Sequence, residues 1–226
     1  MKRSKRYQEE VKKVDSAKSY SVAEALKLVK ETANTKFDGS VEAHVRLGVD
    51  PRKSDQQIRG SIILPHGIGK TLKIAAIVAP DKEKEAKEAG ADIIGGEDLI
   101  ENLKKTGTID FDIAIATPDM MQKLSAIARI LGPRGLMPSP KNETITTNLK
   151  KTIGELKKGK ISFKNDDTGN IHQVIGKTSF DIKQLEENYK AFMDTVIKSK
   201  PSSSKGVYIK NISLASTMGP GVKVAL

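Results

Sequence analysis

The hydrophobic pattern of this chain changes period twice, and that change constrains the fold more than any single motif. From Val41 the apolar residues alternate, with Val41, Ala43, Val45 and Leu47 separated by Glu42, His44 and Arg46. A strand with one apolar and one polar face belongs to an antiparallel sheet covered on one side only. In the middle of the chain the apolar runs are continuous instead, at residues 74–79, 92–94 and 113–116. Such strands are buried on both faces, as in a parallel sheet. Helical segments at 81–89, 97–105 and 118–131 separate them, which predicts a βαβ-layered unit. Alternation returns at 161–164 and 171–175, then at 207–214 and 222–225.

The fold class that follows is α/β: a split α+β domain with an antiparallel sheet, made of residues 1–65 and 160–226, and an inserted Rossmann-like βαβ domain of residues 66–159. The crossings fall near Pro65-His66-Gly67 and Lys158-Gly159. Two amphipathic helices cover the split domain. One opens with the capping box Ser21-Val22-Ala23-Glu24 and presents Val22, Ala25, Leu26, Val29 and Ala33 on one side. The other runs over 181–199 with Leu185, Tyr189, Phe192, Met193 and Val196 on one side. Residues 58–64 are expected to pair with the Val41 strand after a turn at Asp50-Pro51. Residues 148–158 read as a helix, and 200–205, Lys-Pro-Ser-Ser-Ser-Lys, as a linker. With no Trp and 4% aromatic residues, the cores must be built from Ile, Val, Leu and Ala.

Charge points to the partner. The chain carries 39 Lys and Arg against 28 Asp and Glu, a formal +11, which favours a polyanion. Residues 1–65 hold 14 basic and 9 acidic side chains and residues 160–226 hold 10 and 6, so the two ends carry +9 of the total. Cysteine is absent, which excludes disulfides and thiolate metal sites and suits a reducing cytoplasm. The basic start, Met1-Lys2-Arg3-Ser4-Lys5-Arg6, is followed by no apolar run, and no stretch is long enough to span a membrane. The expectation is a soluble, cytoplasmic protein.

Catalytic and metal readings find little support. His66-Gly67-Ile68-Gly69-Lys70-Thr71 ends like a phosphate loop, but Leu64 stands where the first glycine is required and the motif precedes a buried strand instead of following one. The three histidines, His44, His66 and His172, are scattered in sequence with no second histidine or carboxylate at ligand spacing, so no metal or cofactor is expected. Asp166-Asp167 leads into Thr168-Gly169-Asn170 and reads as turn chemistry with positive φ at Gly169. The lysine pairs, such as Lys150-Lys151, read as solvated faces. A nucleotide-dependent enzyme built on the central βαβ domain is the alternative, and it lacks both a complete phosphate loop and a convergent acid/base set.

Two polar clusters remain. Lys36-Phe37-Asp38-Gly39-Ser40-Val41-Glu42 opens the first strand, and Thr217-Met218-Gly219-Pro220 lies in the last strand-like segment. A hydroxyl, a flexible thioether and a bare glycine backbone make a contact surface, not a reaction centre. If both strands belong to one sheet, the clusters form one surface.

These clusters, together with Val49-Asp50-Pro51-Arg52, Leu64-Pro65-His66-Gly67-Ile68-Gly69-Lys70, Ala89-Gly90-Ala91-Asp92, Gly95-Gly96, Ala116-Thr117-Pro118-Asp119 and Gly132-Pro133-Arg134-Gly135-Leu136-Met137-Pro138, closely resemble the bacterial family of large-subunit ribosomal proteins numbered one, which hold the mobile rRNA stalk. The resemblance covers nearly the whole chain, and the order and spacing of its motifs are specific. It implies a non-enzymatic protein of the ribosome that is a monomer when free. Its implied partners are the 23S rRNA stalk of the large subunit, exiting E-site tRNA, and the messenger of its own operon, whose translation many bacterial members repress. It places RNA contacts at Lys36, Phe37, Ser40 and Glu42, at Lys164, Asp166, Thr168 and His172, and at Thr217, Met218 and Gly219. Asn211 and Ser213 lie on the neighbouring strand but match no family motif. Phe37 is open to two readings, a stacking platform for a base or a core staple. The loop from Gly132 to Pro140, with Arg134 and then Lys141, reads either as a tRNA-facing or interdomain loop or as punctuation between domains.

Overall fold

A computed structural model describes residues 3–225, so Met1 and Lys2 of the basic N-terminal run, and Leu226, lie outside the described residues. In chain order the first elements are α1 (Lys5–Val11), α2 (Val22–Glu31), β1 (Ser40–Leu47), β2 (Arg59–Ile63), β3 (Ile74–Ile77), α3 (Glu83–Glu88), β4 (Ile93–Gly95) and α4 (Glu97–Thr106). There follow β5 (Ile113–Ala116), α5 (Met121–Leu124), α6 (Ala128–Leu131), α7 (Leu149–Lys157), β6 (Lys160–Lys164), β7 (Asn170–Lys177), α8 (Ile182–Lys198), β8 (Ile209–Ser216) and β9 (Val222–Val224). They form two compact units, Met1–Gly69 with Ile161–Leu226, and Lys70–Lys160.

In the first unit an antiparallel sheet has the order β7-β1-β8-β9. The alternation read from β1 is realised: Val41, Ala43, Val45 and Leu47 are buried in one core with residues of α2 and α8. Ser21 caps α2, its hydroxyl accepting the Glu24 N–H while the Glu24 carboxylate accepts the Ser21 N–H. α8 starts at Asp181, whose N–H is held by Gln184 Oε1, and buries Leu185, Tyr189, Phe192, Met193 and Val196. The fully buried Asn188 is completely satisfied. Its amide donates to Gly67 and Ile175 carbonyls, and its oxygen accepts the His66 N–H at 3.0 Å.

Residues 58–64 do form a strand, β2, but it does not pair with β1. β1 takes β7 and β8 as neighbours, and β2 pairs with β6 in a separate two-stranded sheet. The cause lies between them. A turn at Asp50, whose carbonyl accepts the Lys53 N–H, and a short 3-10 segment at Ser54–Gln56 carry the chain off the sheet. The 200–205 run is likewise no free linker. Ser204 is buried and donates to the Gly48 carbonyl, and Gln56 donates to Ser203 O.

The second unit holds a parallel sheet of order β4-β3-β5, with every residue of the central β3 buried. β4 departs from the expectation of burial on both faces. It is three residues long, lies at an edge, and is only half-buried. The expected helix over 118–131 is broken into α5, α6 and 3-10 turns, and the backbone leaves helical dihedrals at Ile127, with φ −111° and ψ 11°. Lys160 is buried and held by Glu143 and Glu155, 2.8 Å from the latter. After Gly132 the chain turns back through Gly135, at φ 70°, so that Leu136 and Met137 pack on the core of this unit.

Candidate nucleic-acid interface

The apolar face of the four-stranded sheet is covered by α2 and α8, so the alternation of β1 leaves Glu42, His44 and Arg46 on the other face. The register arranges these residues in rows. His172 of β7 lies opposite His44, which lies opposite Ser213 of β8, which lies opposite Lys223 of β9. The next row along β1 is Asn170, Arg46 and Asn211, and the row on the other side is Val174, Glu42 and Ala215. Side chains with donors and acceptors therefore cross the full width of the sheet on its open side. The core supplies the rigidity and the open face supplies the chemistry.

At the β1 start the two sequence clusters meet. The Ser40 N–H donates to Thr217 Oγ1 at 2.9 Å, and the Thr217 N–H donates to Ser40 O at 2.9 Å. Lys177 reaches the Ser40 hydroxyl at 3.1 Å. Lys36 and Phe37 are exposed, Phe37 at 56%, so the core-staple reading of Phe37 falls. Asp38 fixes this loop by accepting from Thr178 and from the Ser179 N–H and hydroxyl, bonds that hold its carboxyl below the usual carboxylate range. Met218 is 65% exposed and stands at φ 67°, a left-handed conformation rare for a side chain other than Gly. The Gly219 N–H closes a four-residue turn onto Ser216 O at 2.9 Å, which puts Met218 where a type II turn demands positive φ. A Cβ at Gly219 would lie 2.2 Å from Ser216 Oγ, so a larger residue there requires the serine side chain to move.

The other cluster forms at the opposite end of β1, about 20 Å away at 3.3 Å per strand residue. Asp166 organises it. Its carboxylate accepts from the Thr168 N–H and hydroxyl and from the Asn170 N–H and amide. Partial burial works to raise the Asp166 pKa, yet these bonds outweigh it and hold the carboxyl well below the usual range. Asp166 and Thr168 thus spend their polar atoms largely on the turn, with Gly169 at φ 81° as expected. Lys164 is exposed at the end of β6. His172 is within 3.5 Å of Asp166 Oδ2, so this turn reaches the open face.

Two of the three histidines meet in space, and the third meets a carboxylate. His44 and His172 approach to 2.8 Å between Nδ1 atoms, and His66 lies 2.6 Å from Glu187. The His44–His172 contact is set by strand register across 128 positions, which a single sequence does not display. Among the described residues no group of three or more His, Asp or Glu is placed to hold a metal ion. Sequence reasoning also missed Arg3, Arg6 and Tyr7 of the α1 region, which line a groove with Met218 and Gly219. Their signal was the basic start of the chain, read there only as charge.

The nucleotide alternative meets an electrostatic obstacle in the second unit. An open parallel sheet binds phosphates at the carboxyl ends of its strands, on a helix N-terminus. Here the first turn of α4, directly after β4, carries Glu97 and Asp98. Those carboxylates set negative charge beside the helix end that an anion would need.

Residues 29–220 match the model of the ribosomal protein L1p/L10e family. The chain is 52% identical over 223 residues to the large ribosomal subunit protein uL1 of Corynebacterium glutamicum, covering 99% of this chain and 94% of that one. It is 54% identical over the same length and shares to uL1 of Mycobacterium sp. strain KMS. To uL1 of Rhodococcus erythropolis it is 52% identical, covering 93% of that protein. With a family match spanning most of its length and relatives above half identity end to end, this chain belongs to the ribosomal protein L1p/L10e family.

Proposed function

We propose that this protein is an RNA-binding component of the large ribosomal subunit that grips the 23S rRNA stalk through the open face of its four-stranded sheet. The observation that carries this reading is the uncovered row His172, His44, Ser213 and Lys223, flanked at one end of β1 by Ser40, Thr217 and Met218 and at the other by the Asp166 turn. Such a face offers hydroxyls, imidazoles, a carboxylate and a cation together. That mixture suits the 2′-hydroxyls, base edges and phosphates of folded RNA. Glu42 accepts from a 2′-OH or an amino group, Phe37 stacks on a base, and Lys36 and Lys164 supply phosphate contacts. Asp166 acts by folding its turn, so that Thr168 and His172 are presented.

In this reading RNA binding resides in the split unit, residues 1–65 and 160–226. The inserted unit, 66–159, moves with the stalk and meets exiting E-site tRNA through the Gly132 to Pro140 loop. The same face, presented with a similar structure in the messenger of its own operon, represses translation. The protein works in the cytoplasm on the ribosome and is a monomer when free. It is a ribosomal protein and not an enzyme. No helix among the described residues is long and apolar enough to cross a membrane. Filter binding of the full chain to a stalk fragment of large-subunit rRNA, beside labelled ATP, tests the reading. Tight, saturable RNA binding without ATP retention is expected, and ATP retention without RNA binding would overturn it.

A further inference from the structure

The chain has no cysteine, so thioethers are its only oxidisable sulfur. Most of them are sheltered. Met120 and Met193 are buried, at 3% and 8% exposure, and Met121 and Met137 are half-buried against the core of the second unit. Met218 alone among the described methionines is open to solvent, at 65%.

Its side chain is held outward by the backbone. Met218 is left-handed, at φ 67°, a conformation that persists only where the surroundings enforce it. They do so from three sides: the Thr217 N–H donates to Ser40 O at 2.9 Å, the Gly219 N–H to Ser216 O at 2.9 Å, and Arg6 Nη2 to the Met218 carbonyl at 3.1 Å. A groove of about 400 Å³ beside this turn is lined by Arg3, Ser4, Arg6, Tyr7, Met218 and Gly219. Arg3 lies with its guanidinium 4.6 Å over the Tyr7 ring, and Arg6 is paired with the buried Glu10 at 2.8 Å. Guanidinium donors therefore line a groove with a sulfur that is only a weak acceptor.

We propose that Met218 is a reversible oxidation site that switches the RNA-binding face: hydrogen peroxide converts its thioether to the sulfoxide and weakens binding, and reduction by a dithiol restores it. The sulfur lone pair attacks one peroxide oxygen, the S–O bond forms as the O–O bond breaks, and the departing hydroxide takes the remaining peroxide proton to leave as water. Sulfur gives up two electrons and peroxide accepts them. In the return step two thiols supply two electrons and two protons, leaving a disulfide and water. Oxidation exchanges a flexible apolar side chain for a polar, chiral one. The new oxygen is an acceptor that an apolar base face leaves unpaired, whereas water and the Arg3 and Arg6 donors of the groove satisfy it. The oxidised side chain is thereby drawn away from the RNA.

The switch rests on the RNA reading above, and the experiment separates the two. The full-length chain is treated with hydrogen peroxide, digested with trypsin to locate the added oxygen, and titrated undigested with the rRNA stalk fragment, with melting temperatures recorded. Tryptic peptide 211–223 contains Met218 as its only methionine, so it reports that residue. It is expected to oxidise before the peptides that carry Met120 with Met121, Met137 and Met193. Affinity is expected to fall roughly tenfold, the effect of one unpaired polar atom placed against the RNA. Melting temperature is expected to hold, and the two stereospecific methionine sulfoxide reductases with a dithiol are expected to restore binding. Met218→Leu, compared with itself before and after peroxide, is expected to show no change in affinity. Oxidation of Met218 at unaltered affinity, a loss that tracks a fallen melting temperature, an equal peroxide loss in Met218→Leu, or a 211–223 peptide no faster than the others overturns the switch and leaves the RNA reading standing. An untreated chain that fails to bind the fragment overturns both.

Discussion

His44 on β1 and His172 on β7 face each other with their Nδ1 atoms 2.8 Å apart, a contact that requires one ring to donate and the other to accept. Two protonated rings cannot share it. Burial lowers the His44 pKa below its ordinary 6.5, the His172 charge lowers it further, and Glu42 opposes both. The unfolded chain therefore binds a proton at His44 more readily than the folded one. The associated stability is full above pH 6.5 and is lost as pH falls through the depressed value. Melting curves of the unaltered protein and of His44→Gln, recorded against pH, should converge as the pH is lowered. Parallel curves over that window would refute the coupling.

Thr217→Val is expected to cost the fold about 1 kcal/mol, since the Thr217 hydroxyl takes the Ser40 N–H and valine leaves that amide unpaired. Thr217→Ser should retain the bond and the stability. Urea unfolding of the pair checks it, and equal midpoints for Thr217→Val and the unaltered chain would show the hydroxyl to be free for other partners.

Met218→Gly should behave in the opposite way. Glycine adopts φ 67° without the Cβ penalty, so thermal stability is expected to hold or rise while RNA affinity falls. A loss of stability would mean that the exposed methionine side chain holds the turn.

Ser216 and Gly219 form a third test. Ser216→Ala removes a buried hydroxyl that has no partner among the described residues and is expected to stabilise by about 1 kcal/mol. Gly219→Ala drives a Cβ to within 2.2 Å of that hydroxyl and should destabilise. In the double variant the clash is gone, so the two effects should depart from additivity by more than about 0.5 kcal/mol. Simple additivity would contradict the geometry.

The part of this molecule that local pattern controls was readable from the sequence. The alternation of Val41 to Leu47, the Ser21 to Glu24 cap and the buried run at Ile74 each report a burial pattern that is itself periodic or local. Pairing was not readable in the same way. β2 follows β1 closely in the chain, and sequence neighbours usually pair, yet its partner is β6, about 100 residues on. His44 meets His172 for the same kind of reason, through a register that no local signal encodes. The α1 contribution was hidden because seven residues hold too little periodicity to mark a helix, and because Arg6 acts on Met218 across 212 positions. At the interface the residue types were legible and their division of labour was not: Thr217 and Asp166 proved to be tied into the fold, while Phe37 and Met218 stand free.

The central claim is recognition of folded RNA by a mixed polar face, and it is tested most directly by competing polymers. Affinity of the full-length protein for the rRNA stalk fragment and for DNA of the same sequence is measured across a salt series. Contacts from Glu42, Ser40 and the histidine row to 2′-hydroxyls and base edges predict a moderate salt slope for RNA and near loss of specific binding to DNA. Equal affinity for the two polymers with one steep shared slope would reduce the +11 chain to a nonspecific polycation and contradict the account.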